Sequence, residues 1–352
     1  MSDIVYYCGP QVIEWHYNTQ SLGGSEQAVV HLCKEWARIG YDCTVFANFT
    51  FKDSRNEHGV TWSHHSGFER HSVSPKVVIL WRGGIIALES ARERWPSACI
   101  VADLHDNSAD QMRFLADNQC KHNGVFVKSL YHLEYMQVQS RRRLARDLAY
   151  VVPNGVRTDI FEKASQVTRE PHAFIYCSSY DRGLLQLLQW TWPRIKQRIP
   201  EATLDVYYGI GWVRGPERDR LLSLLEESPG VTDHGRKPAQ VVCEAKQRCS
   251  FHLYYTKTPS ETDCISIRES TLCGCIPILS KHGVFSERAG LHLEGDPATK
   301  ADHEKAADAI VEWIQDADAV EETRRQMIAR KSMHVSWEWV AKQWIKIIGV
   351  KK

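Results

Sequence analysis

Short β-type runs alternate with helix-period stretches along the whole chain, and this alternation narrows the fold more than any other feature. Such a pattern is the signature of parallel strands joined by crossover helices. In the first half the predicted strands are Ile4–Cys8, Cys43–Ala47, Val77–Trp81, Cys99–Leu104, Val125–Val127 and Tyr150–Val152. Between the first two, Val29, Leu32, Cys33, Trp36 and Ile39 keep the helical period, and Gly40 takes the place just past a helix end. The pattern pauses over the polar stretch Asp159–His172. It restarts with predicted strands Ala173–Cys177, Leu204–Tyr208, Phe251–Tyr255 and Ile276–Leu279, with helices Leu184–Ile199 and Arg218–Glu227 between them. A Trp-rich amphipathic helix, Ser336–Ile348, follows. We expect two doubly wound α/β domains, 1–165 and 166–335, linked near 160–172, with ligands at the carboxyl ends of their sheets.

Composition excludes several classes of function. The 352 residues are 43% hydrophobic and 25% charged, which suits globular cores, and the net charge of +1 recruits neither nucleic acid nor an anionic membrane. No apolar run approaches the roughly 20 residues of a bilayer span. The strand starting at Ile4 leaves no room for a secretion signal. Of the 11 cysteines, Cys8, Cys33, Cys43, Cys99, Cys177 and Cys264 lie in apolar runs, as buried thiols do. Cys273-Gly-Cys275 is not a zinc spacing and has no companion pair. The expectation is a reduced, cytoplasmic protein with no metal and no cofactor.

Several motifs fall at strand-to-helix junctions. Asn18–Glu26 carries Gly23-Gly24, which permit close backbone approach where a helix N-terminus offers N–H groups to a phosphate; taken alone it is equally a plain turn. It lacks the G-x-G-x-x-G of dinucleotide binding. His105-Asp106 ends a predicted strand, where the imidazole suits a sugar hydroxyl or a structural bond. Tyr180-Asp181-Arg182-Gly183 sets a cation before a helix, suited to a diphosphate. Asp233-His234-Gly235-Arg236 reads as a loop with a glycine turn able to flank a planar base. In Pro259–Asp263, Ser260 and Thr262 are N-cap candidates, which sets Glu261 at a helix mouth and Glu269 about two turns further on nearly the same face. That helix, ended by Gly274, is flanked by apolar residues, so a glutamate on it needs a partner. His64, His65 and His122 are read as surface residues, Arg141–Arg143 with Arg146 as a solvated basic face, and Trp190, Trp192 and Trp344 as core.

Taken together, Gly23-Gly24-Ser-Glu, His105-Asp106, Val152-Pro-Asn154-Gly155-Val, Arg182-Gly183, His234-Gly235-Arg236 and Glu261-x7-Glu269 with Cys273-Gly274-Cys-Ile-Pro277 resemble, in order, the retaining glycosyltransferases of family 4. The resemblance implies the GT-B fold, two Rossmann-like doubly wound domains facing a central cleft, with the terminal helix 336–352 packed back onto the first. It implies that Glu269 binds the donor ribose and that Glu261 and His105 lie at the donor sugar. Arg182, in a place usually held by lysine, would neutralise the diphosphate with the Gly23-Gly24 backbone, and Arg236 would border the nucleobase. Asp263, Cys264 and Ile265 would complete donor binding. The family often carries an arginine about four residues before the Arg182-Gly183 step; Ser178 and Ser179 stand there instead, with Lys257 as a substitute cation. Glu261 is followed by Thr-Asp where an aromatic-Gly pair is more usual.

The implied reaction is metal-independent transfer of a sugar from a nucleoside diphosphate, UDP or GDP, to a hydroxyl of a glycan, lipid or small-molecule acceptor, with retention. Peripheral membrane contact fits a lipid-linked acceptor. The same motifs leave open a nucleotide-sugar-binding protein without transfer, a sugar-nucleotide epimerase or a phosphorylase.

Overall fold

The structure, a computed structural model, describes residues 3–11, 13–19, 22–161, 168–256, 261–330 and 335–349. The predicted linker and Lys257 fall partly or wholly outside the described residues. The chain separates into two compact units. Unit 1 holds Met1–Gly155, Ser260–Asp263 and Val335–Lys352, and unit 2 holds Val156–Pro259 and Cys264–His334.

Unit 1 is built on eight strands: β1 (Ile4–Tyr7), β2 (Cys43–Ala47), β3 (Arg55–Glu57), β4 (Val60–His64), β5 (Val77–Trp81), β6 (Cys99–Asp103), β7 (Gly124–Val127) and β8 (Ala149–Val151). Their order in the sheet is β3-β4-β2-β1-β5-β6-β7-β8. Only β3 runs antiparallel, to β4. Strands β1, β5 and β7 are buried along their whole length, as parallel strands covered on both faces must be. The sequence reading missed β3 and β4. Arg55-Asn-Glu is a polar edge, and β4 shows only Val60 and Trp62 as clear inward positions before Ser63 and His64, which are buried all the same.

Unit 2 carries β9 (Glu170–Cys177), β10 (Thr203–Tyr207), β11 (Val231–Gly235), β12 (Cys249–Tyr254), β13 (Ile276–Ser280) and β14 (Leu291–Leu293). The order is β11-β10-β9-β12-β13-β14, parallel throughout. The segment Asp233–Gly235, expected to be a loop, is edge strand β11, and its polar residues pair only on one side. In each sheet the strand order reverses beside the first strand, between β1 and β5 and between β9 and β12. Those switch points are where open α/β sheets hold ligands.

The helix Trp337–Ile348 is capped by Ser336 Oγ, which accepts from Trp339 N at 3.2 Å. It lies in unit 1, where Trp344 stacks on Phe126 with centroids 3.5 Å apart and Trp36 Nε1 donates to Ala341 O at 3.1 Å. Gly155 makes that approach possible, because a Cβ there would come 2.7 Å from Trp337 Cα. Trp192 and Trp344 are core residues, and Trp190 sits edge-on against His303. All eleven cysteines are free. Among the described residues no helix is long and apolar enough to cross a membrane.

Candidate functional site

In unit 2, Arg182 follows the carboxyl end of β9 at the switch point. Its amide donates to Ser179 O at 3.0 Å, closing a tight turn before the helical stretch that starts at Leu184. Gly183 has φ 87°, and a Cβ on it would lie 2.5 Å from Thr256 Oγ1, just past β12. Any other residue would therefore be strained and crowded at once. Ser178 and Ser179, standing where an arginine was expected, are both buried. Ser178 Oγ shares a proton with Tyr254 OH at 2.8 Å, and Ser179 Oγ has no partner among the described residues.

The helix that carries Glu269 begins at Ile265, capped by Cys264 in the left-handed region, and ends at Cys273 before Gly274. This corrects the expected N-cap at Ser260 or Thr262. Glu261 precedes the helix, so the two glutamates do not share one helix face. Glu269 has the partner its surroundings demand. Lys246 Nζ, fully buried, donates to Glu269 Oε2 at 2.8 Å and to Ser266 O and Oγ at 2.8 and 3.1 Å. Burial opposes the lysine's charge, but Glu269 beside it more than offsets this and raises its pKa. His252 on β12 joins the same layer, accepting from Cys177 N at 3.4 Å and lying 2.7 Å from Ser270 Oγ. At the outer edge, the Arg236 guanidinium sits 4.3 Å above the Tyr208 ring. Tyr180 OH donates to Asp233.

The short segment Glu261–Asp263 belongs to unit 1, and Cys264 and Ile265 begin the return to unit 2. Three hydrogen bonds pin it at the carboxyl ends of β6, β7 and β8. Ser129 Oγ donates to Thr262 O at 2.6 Å, Thr262 Oγ1 to His105 O at 3.3 Å, and Asn154 N to Asp263 Oδ2 at 2.9 Å. Glu261, only 7% exposed, is held beside them.

His105 stands over a buried charge cluster. Asp103 at the end of β6 accepts from Lys128, from Tyr6 OH at 2.5 Å, and from His105 Nε2 at 3.2 Å. Burial opposes ionisation of Asp103, yet Lys128 and His105 hold its carboxyl well below the usual range. Burial, reinforced by Lys128, lowers the His105 pKa despite Asp103. The imidazole is therefore neutral at pH 7 and directs its Nε2 proton at Asp103. His132 fixes the loop behind it, with Nδ1 accepting from Lys128 N at 3.1 Å and Nε2 donating to Asp106 O at 3.2 Å. Near the helix Gly24–Arg38, for which Gly23 is the N-cap, Arg82 (φ 48°) pairs with Asp106 and lies 3.6 Å from Glu26. The sequence reading missed Arg82, Asp103, Lys128 and Lys246. For Arg82 a signal existed, an Arg-Gly-Gly directly after a buried strand; the other three are recognisable only once the strands pair.

No family model matches the sequence, and no curated protein matches it. Solved structures do. The Anabaena HepE structure with UDP and glucose is 15% identical, with 99% of this chain and 100% of that chain covered at a TM-score of 0.75. The sucrose-phosphate synthase of Thermosynechococcus elongatus is 14% identical over 99% and 98% of the two chains, at a TM-score of 0.71. A glycosyltransferase from Rickettsia africae is 12% identical over 99% and 98%, at 0.70. The fold is that of the GT-B glycosyltransferases. Within this GT-B chain the switch point of unit 2 carries Arg182, with Lys246 and Glu269 paired in the same unit, and the strand ends of unit 1 gather His105 and the Glu261–Asp263 turn.

Proposed function

We propose that the chain is a nucleotide-sugar-dependent glycosyltransferase of the retaining kind, with unit 2 binding the donor and unit 1 the acceptor. The observation that carries this is the pairing, within unit 2, of a cation at the switch point with a carboxylate immobilised by a buried lysine. Glu269, fixed by Lys246 through one oxygen, offers its other oxygen to the vicinal hydroxyls of a ribose. Arg182 neutralises the diphosphate, joined by the N–H groups of the helix behind Gly23-Gly24. Arg236 on Tyr208 borders the base. Neutral His105 and Glu261 serve the donor sugar, with Asp263, Cys264 and Ile265 shaping its surroundings. Lys257 is a supplementary cation in this reading.

Chemically, the bond from the anomeric carbon to the diphosphate breaks as charge builds on the leaving oxygen, where Arg182 stabilises it. The acceptor hydroxyl attacks the same face and passes its proton to the departing phosphate, so configuration is retained. Because Arg182 takes the leaving-group charge, transfer is expected to survive EDTA. UDP is the first donor base to test, since HepE is solved with UDP. The free thiols support a reducing, cytoplasmic location.

The test is a thermal-shift panel of UDP, GDP, ADP and dTDP with their sugars. A true donor at a hundred times its Kd stabilises the fold by about 2.7 kcal/mol. Arg182→Ala abolishes transfer while the fold persists; near-normal turnover would sink the assignment. A second reading, donor binding without transfer, is favoured by Ser178 and Ser179 standing in the arginine's place. Binding with neither transfer nor slow donor hydrolysis would establish it.

A further inference from the structure

Unit 1 contains a cavity of about 320 Å³ that no part of the donor reading uses. It lies against β2 and β4. Thr44 and Phe46 on one strand and Thr61 and Ser63 on the next point to the same face, as alternate strand residues do. The turn Lys52–Ser54 and the helical turn His65–Arg70 close its sides. This volume is within the range of small-molecule sites.

The lining is cationic and hydroxylic. Lys52 and Arg70 supply two permanent positive charges, and His64 and His71 add imidazoles, while none of the lining residues is a carboxylate. Lys52 Nζ donates to His64 Nε2 at 2.8 Å, and His64 Nδ1 lies 2.9 Å from Ser66 Oγ. Arg70 has no ion-pair partner among the described residues. His71 Nε2 is buried with no hydrogen-bond partner there either. The carboxylates nearest in the chain, Glu14, Asp53 and Glu69, are all exposed and none lines the cavity; Glu14 lies 3.9 Å from an equally exposed Lys52, and Glu69 is paired with Arg94. His64, expected at the surface, is buried at the floor; burial first, then His65 and Lys52, lower its pKa. Gathered cations with a buried unsatisfied imidazole leave this site short of an anion.

We infer that the cavity binds the phosphate of a phosphorylated polyhydroxy compound, with Lys52 and Arg70 matching the two charges of a phosphate monoester. The Ser54 and Ser63 hydroxyls, 2.6 Å apart, and Thr61 face the hydroxyl-bearing body of such a ligand. The wall is too polar for an acyl chain, so a lipid would enter by its headgroup alone. That this ligand is the sugar acceptor rests on the transferase reading; that the cavity takes a phosphate monoester does not.

Calorimetry on the full chain with glucose 6-phosphate, glycerol 3-phosphate, glucose and inorganic phosphate tests the assignment, beside a Lys52→Gln/Arg70→Gln double variant. Both residues are exposed, so the variant keeps its fold, and UDP binding checks this. Expected is binding of a phosphate ester at least about tenfold tighter than glucose, lost by a similar factor in the variant. Retention on phosphatidic acid vesicles, abolished in the variant, supports the same site with a lipid headgroup as the source. Equal binding of glucose, inorganic phosphate as tight as any ester, or ester binding unchanged in the variant would overturn the inference. A chain that binds the ester but no nucleoside diphosphate leaves the cavity assigned and removes the transferase reading.

Discussion

Lys246 and Glu269 show what a single residue does here. A fully buried ammonium donates to Ser266 and Glu269 of one helix, and the carboxylate that it holds is the one proposed to read the ribose. Replacing Lys246 by Met leaves a carboxylate without its counter-charge and is expected to cost about 3–5 kcal/mol in urea denaturation. Lys246→Met/Glu269→Gln recovers most of that stability but not nucleotide affinity. Equal losses in the single and double variants would show that the pair is only packing. Gly183→Ala tests the other side of the same unit. It combines a left-handed backbone with a contact to Thr256, so about 1–3 kcal/mol should be lost, part of it restored by Thr256→Ala. Arg182 and Glu269 could be singled out from the sequence through the Arg182-Gly183 step and the Glu261-x7-Glu269 spacing. Lys246 and Lys128 were not legible, since each meets its carboxylate from a separate element, 23 and 25 residues away in the chain.

Among elements, the central strands were readable because burial on both faces demands unbroken apolar runs. Edge strands β3, β11 and β14, and β4 between β3 and β2, are too short or too polar to show a period, and they escaped. The expected N-cap failed for a related reason. Ser260 and Thr262 look like caps locally, but Thr262 is engaged by Ser129 and by His105, and the helix starts later, at Ile265 with Cys264 as its cap. The terminal helix carries its own test. Trp344 fills the gap between Phe126 and Trp36, and Trp344→Ala is expected to cost about 3–5 kcal/mol, read by urea denaturation. A loss below 1 kcal/mol, roughly that of a surface change, would mean the helix is dispensable to unit 1.

Acid sensitivity belongs to the whole molecule. His105, His132 and His252 are buried and kept neutral, each with its pKa lowered chiefly by burial, His132 down to about 3. The unfolded chain takes up protons near pH 6.5 that the folded chain refuses, so stability falls as pH drops from about 6.5 towards the folded values. For His132, with its folded value near 3, the slope between pH 6 and 4.5 approaches about 1.4 kcal/mol per pH unit. His132→Asn should be less stable at pH 7 yet lose stability with acid more gently by about that slope. Parallel pH profiles for the two proteins would refute the account.

Unit 1 is assembled from three separate stretches of chain, and all of unit 2 lies between the first and the last of them. On the ribosome, therefore, the first unit to be made is the last that can close. A nascent chain halted before residue 335 already holds every residue of unit 2, but its earlier half still shows Phe126 and Trp36 uncovered. Until the final helix emerges, that apolar surface is available to chaperones and to other chains.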